Sequence, residues 1–188
     1  MFLIVGLGNP GKKYEGTRHN AGFIFLDRFF ELLYKSSRLM IDDWKKEDSF
    51  QSDLSFIRDD GHTDVILQKP FTFMNKSGEA VSKLMKKFKI PIGGNNIVLV
   101  HDDLDIELGK YKIQRARSPR DHKGVLSVEK SLGSSDFLRV RIGVDSRAGD
   151  RTIRGEDYVL MKLSKEEKEI LDESIEAAVK DLREVIQY

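Results

Sequence analysis

Phe2-Leu3-Ile4-Val5-Gly6-Leu7-Gly8-Asn9-Pro10-Gly11 begins with an apolar run and passes straight into glycines. Such a run, without alternation, reads as a strand buried on both faces of a sheet. The glycines fit G-x-G-x-x-G after a strand, the dinucleotide-binding fingerprint. That fingerprint requires a helix to open at the glycines, so that its N-terminus faces a pyrophosphate. Here Pro10, Lys12, Lys13, Tyr14, Glu15 and Gly16 intervene, and the nearest suitable acid, Asp27, falls inside a helix. A nicotinamide or flavin enzyme is the distant alternative, and the loop is expected to serve other chemistry.

Outward from this strand, apolar and polar periods alternate. Gly22, Leu26, Phe29, Phe30 and Leu33 predict a helix over residues 20–34, with Thr17 as its N-cap. Residues 54–57 and 65–67 flank Asp59-Asp60-Gly61 and predict a hairpin. Val81, Leu84, Met85 and Phe88 stripe a helix over 77–88, which must end before Pro91. Residues 97–100 read as an apolar strand, broken by Asp102-Asp103-Leu104-Asp105. A strand at 111–113 leads into a basic loop, and a short helix follows Gly124. Residues 139–144 alternate like a strand with one wetter face, and 145–157 read as loop. Ser164 and Glu167 form a capping box ahead of Ile170, Leu171, Ile175, Ala178, Val179 and Leu182. The expected fold is α/β: a single domain over 1–188, with a mixed, mostly parallel twisted sheet flanked by helices.

The 188 residues are 39% hydrophobic and 34% charged, enough for one sizeable core under a heavily solvated surface. A net charge of +1 argues against a whole-protein grip on nucleic acid, so any RNA contact must be a local basic patch. Without cysteine there is no disulfide, thiolate catalysis or cysteine-bound metal. No run approaches the roughly 20 apolar residues of a membrane helix, and the N-terminus lacks a signal peptide's basic region. A soluble, cytoplasmic protein with no membrane partner is expected.

Three polar residues follow strands: Asn9 the first, Asn75 the hairpin, Asp102 the run 97–100. Ligand sites in open α/β sheets gather at the carboxyl ends of strands. His19, where the first helix starts, joins the same rim. The helix N-terminus disfavours imidazolium, as a general base requires, whereas Asp102 opposes that shift but would fix the ring's tautomer. Each residue has a plainer reading: His19 exposed at a helix start, Asn9 shaping a turn, Asn75 capping a helix, Asp102 ending a strand. Their joint placement favours a site. His62 is expected at the surface, and His101 with its side chain directed away from Asp102. No metal site is expected, since the four histidines include no i, i+4 pair and the acids lack a calcium-loop pattern. Lys110, Lys112, Arg115, Arg117 and Arg120, extended by Lys123, are either a solvated loop or a grip for RNA phosphates.

The residues at 3–11, Tyr14, Thr17-Arg-His-Asn-Ala-Gly22, Pro70-Phe-Thr-Phe-Met-Asn-Lys-Ser-Gly78, Val100-His-Asp-Asp-Leu-Asp105, Gly109-Lys110 and Phe137-Leu-Arg-Val-Arg-Ile-Gly143 stand in one order along nearly the whole chain. In this the sequence resembles the bacterial peptidyl-tRNA hydrolases. The resemblance implies an α/β enzyme, cytoplasmic and monomeric, without cofactor or metal, that cleaves the ester joining a peptide to the acceptor end of tRNA. It implies His19 as the catalytic histidine and Asp102 as its partner. Asn9 and Asn75 would position the substrate, with Tyr14 and Met74 lining the cleft. Lys112 and Arg141 match basic positions for tRNA phosphates, joined here by Lys110 and Arg115. One stretch departs: where the family has a glycine-rich segment ending in His-Asn-Gly, this chain has Gln114-Arg-Ala-Arg-Ser-Pro-Arg-Asp-His-Lys-Gly124. Lys123 thus replaces a substrate-binding asparagine, keeping a donor but losing the amide carbonyl. The alternative this raises is an RNA-binding protein on the same fold with weak or no hydrolysis.

Overall fold

The computed structural model describes residues 1–36, 39–59, 62–116 and 121–187. The strands are β1 (Phe2–Gly6), β2 (Met40–Ile41), β3 (Lys45–Glu47), β4 (Ser52–Asp59), β5 (His62–Pro70), β6 (Ile97–Glu107), β7 (Tyr111–Arg115) and β8 (Leu138–Asp145). Among the described residues they form one sheet in the order β2-β4-β5-β1-β6-β8-β7, with β3 also paired to β4. The central strands β5, β1, β6 and β8 run parallel, while β4 and β7 join them antiparallel. The helices are α1 (Ala21–Ser36), α2 (Ser77–Phe88), α3 (Lys123–Leu132), α4 (Gly155–Tyr158) and α5 (Lys165–Ile186).

Why the opening run lacks alternation is now visible. Ile4 faces the layer containing Phe25, Phe29 and Leu33 of α1 and Ile175 and Leu182 of α5. Leu3 and Val5 face Val81 and Leu84 of α2 and Val125 and Val128 of α3. Successive side chains enter opposite cores, so each must be apolar. Each such burial stabilises by about 1.5–3 kcal/mol. Gly22 brings α1 against the sheet, because a Cβ there would strike the Leu7 main chain and the Val100 carbonyl. That close approach sets the residues before α1 on the rim above β1 and β6.

Several expectations are corrected. The acids after Val100 do not break the strand: β6 continues to Glu107, with an irregular register between Asp103 and Glu107. Asp102 and Asp103 are buried there, each with cationic or imidazole partners. β8 has no wet face, since Arg139 and Arg141 are both buried, on Glu129 and Asp103 respectively. Thr17 occupies the cap position of a 3-10 turn (Arg18–Asn20), but its hydroxyl donates to the Tyr14 carbonyl instead of capping. The stretch read as loop contains α4, and Ile170 is exposed instead of packed. The capping box at Ser164 and Glu167 is present. The hairpin strands are present, whereas Asp60 and Gly61 of its turn lie outside the described residues.

Candidate active site

His19 lies in the 3-10 turn that precedes α1, a turn held from below by Arg18. The Arg18 side chain is buried over the Tyr158 ring, 4.3 Å from its centroid, and bonds the Lys162 carbonyl and Glu167. The His19 main-chain N–H donates to the Val159 carbonyl at 2.8 Å. With its backbone so fixed, the ring presents Nδ1 to Asp102, 2.9 Å from Oδ1 and 3.1 Å from Oδ2. The side chain is 14% exposed.

Asp102 has a second imidazole partner that the sequence reading passed over. His122 Nε2 lies 2.9 Å from Asp102 Oδ1. His122 is also the N-cap of α3, its Nδ1 accepting from Gly124 N–H at 3.2 Å and Val125 N–H at 3.3 Å. Two main-chain donors leave that nitrogen unprotonated, so Nε2 carries the proton and donates to Asp102. The available signal was a histidine just ahead of the short helix, where an N-cap belongs. His101, on the adjoining strand position, does not reach the carboxylate, but neither is it remote. Its Nδ1 lies 2.7 Å from the Asp102 carbonyl oxygen, and its ring packs edge-on against His122 at 4.9 Å.

The electrostatics follow from burial and partners. Burial pushes the Asp102 carboxyl up, but the facing His19 and His122 rings outweigh it and hold the group well below its ordinary value. Burial of His19 favours the neutral ring, yet Asp102 outweighs both burial and the Lys123 charge, so the pKa lies above the ordinary 6.5. Carboxylate thus prevails over the influences favouring a neutral ring. Burial, joined by the neighbouring His122 ring, pushes His101 down to about 3, which keeps it neutral.

Asn9 is locked into the same cluster. Its main-chain N–H donates to Asn20 Oδ1 at 2.8 Å, and Asn20 Nδ2 donates back to the Asn9 carbonyl at 3.0 Å. Asn9 Oδ1 accepts from the Met74 N–H at 2.9 Å, which leaves its amide nitrogen as the outward donor. Met74 packs on Gly124, where a Cβ would strike its sulfur. His19, Asn20, Asn9, Met74, Gly124, His122 and Asp102 therefore form a closed ring of contacts. Asn20 is another member that sequence reasoning missed.

Other expected site residues lie around this ring. Asn75 belongs to the 3-10 turn Met74–Lys76 and is exposed; α2 takes Lys76 as its N-cap position, so Asn75 does not cap it. Tyr14 is half-buried, with Lys13 Nζ 5.6 Å from its ring centroid. Lys123 is 69% exposed, its Nζ 4.0 Å from Glu156. Lys112 is exposed at the β7 edge, and Lys110 bonds Glu107 at 2.5 Å. Two residues expected at phosphates are engaged otherwise. Arg141 is buried, Nε on Asp103 at 2.7 Å and Nη1 on Gln114 at 2.8 Å. Arg115 pairs through two hydrogen bonds with Asp136, opposite Leu138 and so toward the far end of β8 from the rim. Arg117 and Arg120 lie outside the described residues.

Asp102 between two imidazoles is also the grouping most suited to a cation among the described residues, with one ligand atom from each within 4.8 Å of the others. A nitrogen that must donate a proton to the carboxylate is a poor ligand, however, and His122 Nε2 is such a nitrogen.

Residues 3–188 match the sequence profile of a family described as "Peptidyl-tRNA hydrolase". A peptidyl-tRNA hydrolase of Caldanaerobacter subterraneus subsp. tengcongensis is 40% identical over 188 residues, covering 100% of this chain and 94% of its own. One from Clostridium botulinum (strain Alaska E43) is 40% identical over 187 residues, covering 100% and 90%. The crystal structure of peptidyl-tRNA hydrolase from Acinetobacter baumannii superposes with a TM-score of 0.83 at 29% identity, covering 100% and 89%.

Proposed function

Because this chain belongs to the peptidyl-tRNA hydrolase family, we propose that its ester hydrolysis is driven by neutral His19 acting as a general base on water. The observation that carries this reading is the His19 Nδ1–Asp102 contact. If Nδ1 carries the proton and donates it to the carboxylate, Nε2 holds the lone pair. Nε2 takes a proton from water as its oxygen attacks the ester carbonyl carbon. The oxyanion that forms is met by amide donors from Asn9 and Asn75. When the intermediate collapses, the carbonyl carbon–ribose oxygen bond breaks and the imidazolium returns its proton to the departing 3′ oxygen. Peptide acid and tRNA are the products. Asp102 steadies the imidazolium between these transfers, and His122 holds Asp102 in place.

Tyr14 and Met74 line the cleft in this reading, and Lys123 meets the substrate where the family has an asparagine. Phosphates of the acceptor end lie along the β7 edge, at Lys110 and Lys112. No metal is needed: a water activated by imidazole and an ester already more reactive than an amide suffice, and the proton on His122 Nε2 supports this. The chain works as a monomer in the cytoplasm, where its substrate arises; among the described residues no helix is long and apolar enough to cross a membrane. Gel filtration tests the monomer.

Single-turnover release of an N-blocked amino acid from charged tRNA tests the base. His19→Ala is expected to slow it by about 10²–10⁴-fold. A rate within about threefold of the parent removes His19 from the mechanism. The RNA-binding alternative draws on Lys123 and the altered loop, and it predicts that Lys123→Asn restores hydrolysis that is weak or lacking in the parent.

A further inference from the structure

Beside Asn9, on the side away from Asp102, lies a cavity of about 320 Å³. Its walls combine Phe23, Phe71 and Ile24 with Glu15, Asp27, Asp53 and Lys69. We propose that this cavity is a subsite for a basic side chain on the peptide, carried by the residue preceding the esterified one, with Asp53 as its counter-ion. The proposal rests on the hydrolase reading of the neighbouring site and names what part of the substrate that site extends to.

Charge makes the first part of the case. The lining holds three acids against one base. That base is already engaged, since Lys69 is ion-paired with Asp27 and lies 4.2 Å from the Trp44 ring centroid. Asp53 stands opposite both Lys69 on β5 and Lys46 on β3. Lys46 pairs with Asp48 at 3.0 Å, and no hydrogen bond reaches the Asp53 carboxylate from the described residues. Burial pushes the Asp53 carboxyl up, Asp27 adds to the rise, and the two lysines oppose it. A phosphate would be repelled here. A long aliphatic stem with a cationic end suits aromatic walls and a carboxylate.

The order of strands makes the second part. His19 and Asp102 sit over β1 and β6, Lys110 and Lys112 at the β7 edge, and Asp53 and Lys69 on β4 and β5. With phosphates on the β7 side and the ester at His19, the acyl group must leave toward β5 and β4. The offset from β6 to β4, which carries Asp53, is three strand spacings, about 14 Å. The step across the esterified residue, an extended lysine side chain and its ion-pair contact together span about that distance.

The test compares one tRNA charged with N-acetyl-Lys-Gly, N-acetyl-norleucyl-Gly or N-acetyl-Glu-Gly, each kcat/KM divided by that for N-acetyl-Gly-tRNA in the same protein. General loss of activity in a variant then cancels. The parent is expected to favour Lys over Glu by about threefold to fivefold, the scale of a half-exposed ion pair. Asp53→Asn should bring the ratio near one, and Asp53→Lys should invert it. A parent ratio near one, or a lysine preference that survives in Asp53→Asn, overturns the proposal. If the parent fails to cleave even N-acetyl-Gly-tRNA, the underlying hydrolase reading fails instead.

Discussion

His19 titrates under opposing influences, and their signs decide its pH behaviour. Burial and Lys123 favour the neutral ring, Asp102 the charged one, and Asp102 prevails. A base must be neutral, so kcat/KM should rise with pH through a midpoint above 6.5; a profile flat from pH 5 to 8 contradicts the mechanism. Lys123→Asn removes a charge that lowers the His19 pKa, so this midpoint should move to higher pH, most visibly at low salt. A midpoint moving down would mean that Lys123 acts otherwise. The same raised pKa means that His19 adds to folding stability below pH 6.5 and that this contribution fades as pH climbs through its folded value. His101 has the opposite sign. Its folded pKa of about 3 lies below the unfolded 6.5, so its contribution is present above pH 6.5 and is lost as pH falls toward 3. In this window the unfolded chain binds a proton at this position that the folded chain does not, so stability slopes downward as pH falls. Denaturation of His101→Asn across pH 4–7 should show that slope reduced; an unchanged slope would assign the acid sensitivity to other groups.

At the scale of elements, the site depends on where α3 begins. Its N-cap His122 is also the second partner of Asp102, so moving α3 disturbs the carboxylate that faces His19. Gly78 of α2 sets that position: a Cβ there would strike the Ser127 carbonyl of α3, and the Gly78 N–H donates to Ser127 Oγ at 3.0 Å. Gly78→Ala should therefore destabilise the protein by about 1–3 kcal/mol through overpacking, and lower kcat by more than the unfolded fraction explains. Equal stability by urea titration would show that the helices part without cost. The capping box at Ser164 starts α5, and its Glu167 also pairs with Arg18 beneath the His19 turn. Its loss in Ser164→Ala should cost about 1 kcal/mol, read by urea titration against the parent.

For the whole molecule, a net charge of +1 leaves any RNA affinity to a local basic patch, and the proposed one is the β7 edge with Lys110 and Lys112. Lys112→Ala should raise KM for charged tRNA and reduce the salt-dependence slope by about one, leaving kcat near the parent value. An unchanged slope would place the phosphates elsewhere. The sheet itself was legible because its signals are local: unalternating runs for strands covered on both faces, 3.6-residue stripes for α1, α2 and α5, and Ser164-x-x-Glu167 for the last cap. His19, Asn9 and Asp102 could be read as one rim because strand ends in a parallel sheet converge whatever the loops do. Local patterns could not tell whether charges within β6 and β8 are solvated or paired. An acidic run looks like a strand end until Arg141 on the neighbouring strand is known to reach Asp103. For the same reason only the folded chain could bring His122 to Asp102, twenty residues away in sequence, and fix which of its nitrogens carries the proton. Secondary structure follows from neighbours along the chain, whereas partnership between charges follows from neighbours in space.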